Sequence, residues 1–351
     1  MKIEPVYSTK HGEAYLGDAE RLLRWLCRKG CRHEAQMIFT SPPFPLNRKK
    51  KYGNLTGRRY VRWLTGFARL FADLLKPDGS VVLEMGNGWE EGQPTMSTLP
   101  LEALLAFKKA GRFHLCQEFI CFNPARLPSP AQWVNVERCR VKDAFTRVWW
   151  LSRTPRPKAD NRNVLTSYSE SMRRLLEKGT YNPGLRPSEF VIGETSFLKN
   201  NSGAISPNVL ALPIADALAE LSAEPFNVLS IANTSSSDSY QNHCREVGVT
   251  PHPARMPAKL VEFFMRFLTG PNDLVIDPFA GSNTTGAVAE RLGLRWKSIE
   301  IERAYLEASR ARFEGLPSQS PVSCTSSAET ASRSNRVRGK AVAMWAGKVA
   351  V

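Results

Sequence analysis

DLVIDPFAGSNTTGAVAERLGLRWKSIEIE, residues 273–302, is the stretch that decides the fold. Its apolar runs predict strands at residues 274–276 and 296–300, and the residues between them predict a tight turn followed by a helix at about 284–291. A strand, a helix and a strand in this order indicate a parallel sheet covered by helices. The turn offers free amides at a helix N-terminus, and its small residues let a ligand approach the backbone.

Three nucleotide-type ligands compete for this turn. A P-loop for triphosphates needs GxxxxGK[ST]; Gly281 and Gly286 have the right spacing, but Ala287 follows where lysine is required. A nicotinamide fold needs GxGxxG, which residues 277–283 do not supply. The third candidate, S-adenosylmethionine, carries no phosphate and needs fewer glycines. A plain α/β turn with incidental glycines stays open at this point.

Two acids accompany the turn. Asp277 ends the first strand and suits the ammonium group of S-adenosylmethionine, directly or through water. Glu300 ends the second strand 23 positions later, where dinucleotide folds place the carboxylate that binds ribose hydroxyls. Both acids therefore fit a ligand that has a ribose and a cationic amino-acid part.

A second unusual stretch, TSPPFPLNRKKKYGN at residues 40–54, closes a short strand predicted at residues 37–39. Its adjacent prolines stiffen the loop. If the ligand of the glycine turn is a methyl donor, this loop would serve the methyl acceptor. The exocyclic amine of cytosine or adenine is a poor nucleophile because its lone pair is delocalised into the ring. Acceptors such as the Ser41 side chain and the Pro42 carbonyl can pull that lone pair back onto nitrogen. Phe44 suits stacking on a base swung out of the duplex, although a proline-rich loop with a solvated charge run is the alternative interpretation.

The charge balance favours a polyanionic partner. The chain has 48 basic and 33 acidic residues and a net charge of +15, and such cations displace condensed counterions from phosphates. A merely soluble basic protein is the alternative. The acid-free flank at residues 46–62 is the candidate grip on DNA phosphates, and its cations are Arg48, Lys49, Lys50, Lys51, Arg58, Arg59 and Arg62.

Cysteine usage and hydropathy indicate the cellular compartment of the protein. The seven cysteines are scattered without paired CxxC motifs, so we expect reduced thiols and no metal site. No apolar run reaches membrane-spanning length, and the N-terminus lacks the apolar core of a signal peptide. These patterns predict a cytoplasmic protein.

The rest of the chain divides by pattern into four segments. Residues 1–153 alternate strand and helix patterns, including a helix at 60–75, a turn at 76–79 and strands at 80–85, 113–122 and 144–151. Residues 154–248 are rich in Asn, Ser, Pro and Arg and predict loops, apart from a helical alanine- and leucine-rich run at 211–229. Residues 249–315 return to strands and helices. Residues 316–351 predict a disordered tail.

TSPPF and DPFAGSNTTG together resemble the catalytic and S-adenosylmethionine motifs of the amino-methylating DNA methyltransferases. The catalytic motif comes first, an order that resembles the β class of this family, and the resemblance covers roughly Tyr15 to Phe313. It implies an α/β fold with a circularly permuted, Rossmann-like S-adenosylmethionine-dependent methyltransferase sheet. It also implies a catalytic half at 1–153, a smaller, loop-rich target-recognition region at 154–248 and a cofactor-binding half at 249–315.

The resemblance further implies the site residues. YLGDAERLL contains Asp18, where the family's acid meets the cofactor adenine, and HPARMPAKL contains His252 and Arg255, where the family wraps the methionine part. The expected cofactor contacts are Asp18, His252, Arg255, Asp277, Phe279, Gly281, Ser282, Asn283, Thr284 and Glu300. The catalytic candidates are Ser41, Pro42, Pro43, Phe44 and Glu84. Glu84 ends a strand at the same edge of the sheet. Its hydrogen-bond partner would be the flipped base in one interpretation, and a helix or a lysine in the other.

The chain departs from the common family pattern in two respects. Asn283 replaces a glycine of many relatives, and asparagine tolerates left-handed backbone better than most residues. Adenine methylators usually begin the catalytic motif with Asp and end it with Tyr, so Ser41 and Phe44 resemble the cytosine-N4 group instead.

Two alternative functions stay open. They are adenine-N6 methylation of DNA or structured RNA, and a catalytically silent DNA-binding relative. Cytosine-C5 methylation needs a cysteine nucleophile, typically after proline, and the chain has no Pro-Cys pair.

Target recognition is assigned to residues 154–248. The candidate base or phosphate contacts there are Arg173, Arg174, Arg186 and Lys199. The resemblance implies double-stranded DNA as the partner, a short palindromic target such as CAGCTG, a monomeric enzyme and a separate endonuclease that acts on the same site.

Overall fold

The computed structural model describes residues 3–44, 55–123, 126–211, 229–230 and 239–314. All of them belong to one compact unit. Three sequence predictions lie outside the described residues: the basic run within 45–54, most of the alanine- and leucine-rich run at 211–229, and the tail at 316–351.

Strands and helices alternate along most of the described chain. The strands are β1 (Tyr7–Ser8), β2 (Gly12–Leu16), β3 (Ala35–Thr40), β4 (Leu75–Gly86), β5 (His114–Phe122), β6 (Phe145–Ser152), β7 (Gly184–Leu185), β8 (Val191–Ile192), β9 (Val209–Ala211), β10 (Leu229–Ser230), β11 (Leu274–Asp277) and β12 (Arg295–Glu300). The α-helices are α1 (Ala19–Leu26), α2 (Gly57–Leu74), α3 (Leu99–Gly111), α4 (Glu170–Lys178), α5 (Ser239–Glu246), α6 (Ala258–Leu268), α7 (Thr284–Arg291) and α8 (Arg303–Ala308).

The described strands form a ten-stranded central sheet in the order β1-β2-β12-β11-β3-β4-β6-β5-β9-β10. β11 comes late in the chain but lies between β12 and β3, and it is parallel to both. Because the carboxyl ends of neighbouring parallel strands meet at one edge, Thr40 at the end of β3 lies beside Asp277 at the end of β11. Their side chains are hydrogen-bonded across 237 sequence positions. This placement confirms the permuted α/β sheet.

Two details differ from the sequence prediction. The sheet is mixed, because β6 runs antiparallel to both β4 and β5; β5 and β6 are joined by a loop without a crossover helix, so they pair as a hairpin. Residues 76–79 were predicted as a turn but lie inside β4. Leu75 pairs with Ala35 and Ser80 with Met37, so the residues between Leu75 and Ser80 form an irregularity within the strand.

Helices cover both faces of the sheet because consecutive strand side chains point to opposite sides. Ile38 joins the cluster that contains Phe71 of α2 and Phe107 of α3. Phe39 joins the other cluster, which contains Phe264 of α6. All five of these side chains are fully buried. None of the described helices is long and apolar enough to cross a membrane.

Residues 154–211 contain mostly loops. α4 and the two-stranded β7–β8 hairpin are its main regular elements. At the end of this stretch β9 enters the central sheet, where it pairs in parallel with β5. The loop-rich segment is therefore joined to the sheet through β9.

Candidate active site

A cleft of about 380 Å³ opens at the edge of the sheet where β3, β11 and β12 end. It brings together the two motifs that the sequence singled out. The predicted residues that line it are Asp18, Ser41, Pro42, Pro43, Phe44, His252, Asp277, Phe279, Gly281, Ser282, Thr284 and Glu300.

The turn between β11 and α7 is shaped by two residues with left-handed backbone. Gly281 has φ of 53° and Asn283 has φ of 52°. The Asn283 side chain caps α7 by accepting a hydrogen bond from the Gly286 amide at 3.1 Å. The turn therefore forms with asparagine in place of glycine, as expected. Asn283 itself is fully buried and is not among the residues that line the cleft.

Asp277 joins the two motifs. Its Oδ1 accepts hydrogen bonds from the Thr40 hydroxyl at 2.8 Å and the Phe279 amide at 3.1 Å, and its Oδ2 accepts one from the Thr285 hydroxyl at 2.6 Å. Burial raises the pKa of Asp277 to about 6. The charge of the nearby Glu300 also raises this pKa, whereas the hydrogen bonds from the three donors lower it. The carboxylate thus fixes the end of β3 against the glycine turn between β11 and α7.

The raised pKa of Asp277 predicts a specific pH dependence of stability. The folded protein binds the Asp277 proton more tightly than the unfolded chain, so this group's contribution to the free energy of unfolding falls as the pH rises from about 4 to about 6. Asp277→Asn removes that contribution. The free energy of unfolding of the variant minus that of the wild type should rise across this window, by roughly 3 kcal/mol at most.

Urea unfolding of both proteins between pH 4 and pH 7.5 measures this difference. The hydrogen bonds lost in Asp277→Asn change this difference in free energy by the same amount at every pH. Only the slope of the difference with pH therefore reports the titration of Asp277. A difference that is flat or falls across the window would contradict the assignment.

Glu300 holds the backbone of the turn and the following residues. Its Oε2 accepts the Gly281 amide at 2.7 Å, and its Oε1 accepts the amides of Ile301 and Glu302 at 3.0 and 2.9 Å. Burial raises the pKa of Glu300, and these backbone hydrogen bonds oppose the rise. A carboxylate has about four acceptor positions, so the three donors among the described residues leave one position for a ligand hydroxyl.

Ser41 lies between the cleft and Glu84. The Ser41 side chain and the Thr146 hydroxyl are hydrogen-bonded to the Glu84 carboxylate. Burial raises the pKa of Glu84, while these two bonds and the charge of Arg126 oppose the rise. Glu84 does not line the cleft but reaches it through Ser41.

An aromatic wall completes the cleft, and sequence reasoning missed most of it. Tyr60, Trp63 and Phe67 of α2 line the cleft together with Phe44 and Phe279. The ring centroid of Phe279 lies 5.4 Å from that of Trp63 and 5.3 Å from that of Phe67. The helical period of residues 60–75 predicts a buried face that includes Tyr60 and Phe67. The signal that could have identified the wall is the concentration of aromatic residues directly after the Ser-Pro-Pro stretch.

Several predicted contacts are not brought to the cleft. Arg255 is half-buried and is not among the lining residues. Arg173 and Arg174 are exposed on α4 and both pair with Glu170. Arg186 donates to the Asn182 carbonyl. Lys199 is exposed; Arg48, Lys49, Lys50 and Lys51 lie outside the described residues. The cofactor contact of Arg255 and the DNA-binding roles of the other residues stay predictions.

Comparisons with known proteins agree with this geometry. A family model described as DNA methylase matches residues 35–311. The type II methyltransferase M.PvuII of Proteus hauseri is 42% identical over 312 residues, which are 88% of this chain and 86% of that protein. A solved structure of the PvuII DNA methyltransferase (cytosine-N4-specific) matches with a TM-score of 0.67 at 37% identity, covering 89% of each chain. The type II methyltransferase M.BglII of Bacillus subtilis is 21% identical over 82% of this chain and 66% of that protein. The chain belongs to the DNA methylase family.

Proposed function

We propose that the protein transfers a methyl group from S-adenosylmethionine to the exocyclic N4 amine of a cytosine in double-stranded DNA. The observation that carries this proposal is the meeting of the Ser41–Phe44 stretch and the glycine turn in one cleft. A methyl donor bound at the turn would lie beside hydrogen-bond acceptors suited to a nucleobase amine. The similarity to a cytosine-N4-specific methyltransferase supports the same reading.

The charges that line the cleft fit S-adenosylmethionine better than a phosphate-bearing cofactor. Among the described lining residues, Asp18, Asp277 and Glu300 are carboxylates and none is lysine or arginine. Glu300 would accept a ribose hydroxyl, and Asp18, which caps α1 through the Arg21 amide, would lie at the adenine. The bound cofactor supplies an electrophilic methyl group on a cationic sulfur.

The catalytic stretch would orient and activate the amine. The Ser41 hydroxyl and the Pro42 carbonyl would accept its hydrogen bonds, and Phe44 would stack on the flipped base. With S-adenosylmethionine bound, the nitrogen lone pair would form the new N–C bond as the C–S bond of the cofactor breaks, and the amine would then lose one proton. Ser41 offers that proton a path to Glu84, whose pKa is raised by burial.

The wider assignment rests on charge and on the relatives. A net charge of +15 supports duplex DNA as the substrate. The segment from 154 to 248 is proposed to read the target sequence, between a catalytic half and a cofactor-binding half. A monomeric enzyme acting in the cytoplasm, paired with an endonuclease for the same site, fits the type II name of its relatives.

Transfer of labelled methyl groups tests the substrate class. Purified protein is incubated with S-adenosylmethionine labelled in the methyl group and with plasmid DNA, heat-denatured DNA or structured RNA. We expect label in the duplex DNA only. Label in RNA, or no label in DNA from several sources despite cofactor binding, would overturn the proposal.

A further inference from the structure

A small cluster of side chains supports the cofactor turn from outside the cleft. Tyr240 and Cys244 of α5 are fully buried and pack with Ala308 at the end of α8. Arg312, in the short helical turn after α8, extends over the ring of Tyr240 at 4.8 Å from the centroid. We call Tyr240, Cys244, Ala308 and Arg312 the α5–α8 cluster. None of the four lines the cleft.

Arg312 contacts the cofactor turn directly. Its Nε donates to the Ser282 carbonyl at 2.7 Å, and its Nη2 donates to the Ser282 hydroxyl at 3.2 Å. Ser282 lines the cleft and is only 3% exposed. One guanidinium therefore fixes both the backbone and the side-chain rotamer of a residue in the turn, which a lysine ammonium cannot do with the same geometry.

Tyr240 contacts His252, a cleft residue that lies beside Gly281 of the turn. Its hydroxyl accepts the His252 backbone amide at 2.9 Å. The His252 ring packs edge-on against Tyr305 with 4.8 Å between centroids, and its Nδ1 is 2.7 Å from the Ala254 carbonyl oxygen. A Cβ atom added at Gly281 would lie 3.0 Å from His252 Cε1. His252 and Ser282 thus enclose Gly281, and both are held by the Tyr240–Arg312 pair.

We propose that Arg312 and Tyr240 are positioning residues that set the affinity for S-adenosylmethionine by holding Ser282 and His252 against the glycine turn. The inference rests on the proposed function. It also predicts a separation of effects: binding of the cofactor weakens in variants of the pair, whereas the chemical step, carried by residues near β3, does not change.

Binding of S-adenosylmethionine, measured by calorimetry, and steady-state kinetics test the pair. Arg312→Gln should raise the Kd and the KM for the cofactor about 10-fold, because charge-assisted hydrogen bonds are lost. The kcat at saturating cofactor and the KM for DNA should stay within about twofold. Tyr240→Phe keeps the ring under Arg312 and removes the hydroxyl's bonds to the His252 amide and to Cys244, so its Kd should rise less, by about threefold.

The chain offers a matched control. Arg310, two positions earlier, also lies over a tyrosine ring, that of Tyr7 at 5.5 Å, and also donates to a backbone carbonyl, that of Val6. It has no hydrogen bond to Ser282 in the described structure. Its ring partner Tyr7 accepts a hydrogen bond from the Asn283 side chain of the turn, but Tyr7 keeps that bond and its bond to Ser309 when Arg310 is replaced. Arg310→Gln should leave the Kd for the cofactor unchanged.

Arg312→Lys decides the question if Arg312→Gln does not fold, and it should also weaken cofactor binding. Folded Arg312 variants with wild-type Kd, or an equal loss in Arg310→Gln, would overturn the inference alone. A wild-type protein that binds no S-adenosylmethionine would overturn the proposed function together with it.

Discussion

Replacing Ser41 with alanine is expected to lower kcat for methyl transfer by about 100- to 1000-fold, the typical effect of removing one hydrogen-bonding group aimed at the reacting centre. Ser41 is the side chain that lies in the cleft and is also hydrogen-bonded to Glu84. The variant loses both an acceptor for the amine and the path to the carboxylate. The Kd for S-adenosylmethionine should change by no more than about twofold, because the cofactor turn is untouched.

Thr146→Val separates these two roles of Ser41. Thr146 is the other hydroxyl bonded to Glu84, but it does not line the cleft. Losing either bond should raise the pKa of Glu84 further, because both bonds lower it. Rapid-quench measurement of a single turnover should show a much smaller loss in Thr146→Val than in Ser41→Ala. Equal losses would mean that Ser41 acts only through Glu84 and does not contact the base.

Replacing Gly281 with valine is expected to weaken binding of S-adenosylmethionine by more than about 100-fold, since a β-branched residue is a genuine outlier in left-handed backbone. Gly281 has φ of 53°, and its missing Cβ would lie 3.0 to 3.2 Å from three atoms of the His252 ring. Either His252 or the turn must move, and both line the cleft.

Gly293→Val is the matched control for backbone strain. Gly293 has φ of 68°, but apart from Gly293 and its chain neighbours no described atom lies within 4 Å of the position its Cβ would take. Both variants should therefore lose thermal stability through backbone strain, with a further loss in Gly281→Val from the contact with His252, while only Gly281→Val loses cofactor binding in equilibrium dialysis. Weak binding by both variants would show that general destabilisation, and not the shape of the turn, explains the effect.

The glycine turn could be predicted from sequence because its determinants are local. The helix predicted at residues 284–291 is α7, with the bounds Thr284–Arg291. Its cap, its left-handed residues and its two flanking strands all lie within one short stretch of chain. The Ser-Pro-Pro corner at the end of β3 is local in the same sense, since proline restricts the backbone wherever it occurs.

Long-range contacts were not accessible in this way. The bond between Thr40 and Asp277 joins residues 237 positions apart, and only the order of strands in the sheet brings them together. The contact of Arg312 with Ser282 depends on how the chain returns after α8. A helical period identifies a buried face of α2 but does not say that Trp63 lines a cleft as well as packing against the core.

The identity of the methylated nucleoside tests the central claim most directly. DNA treated with the purified protein and S-adenosylmethionine is digested to nucleosides, which are separated and identified by mass spectrometry. The arrangement of Ser41, Pro42 and Phe44 beside the cofactor turn predicts N4-methylcytosine. N6-methyladenine or C5-methylcytosine as the product would contradict it.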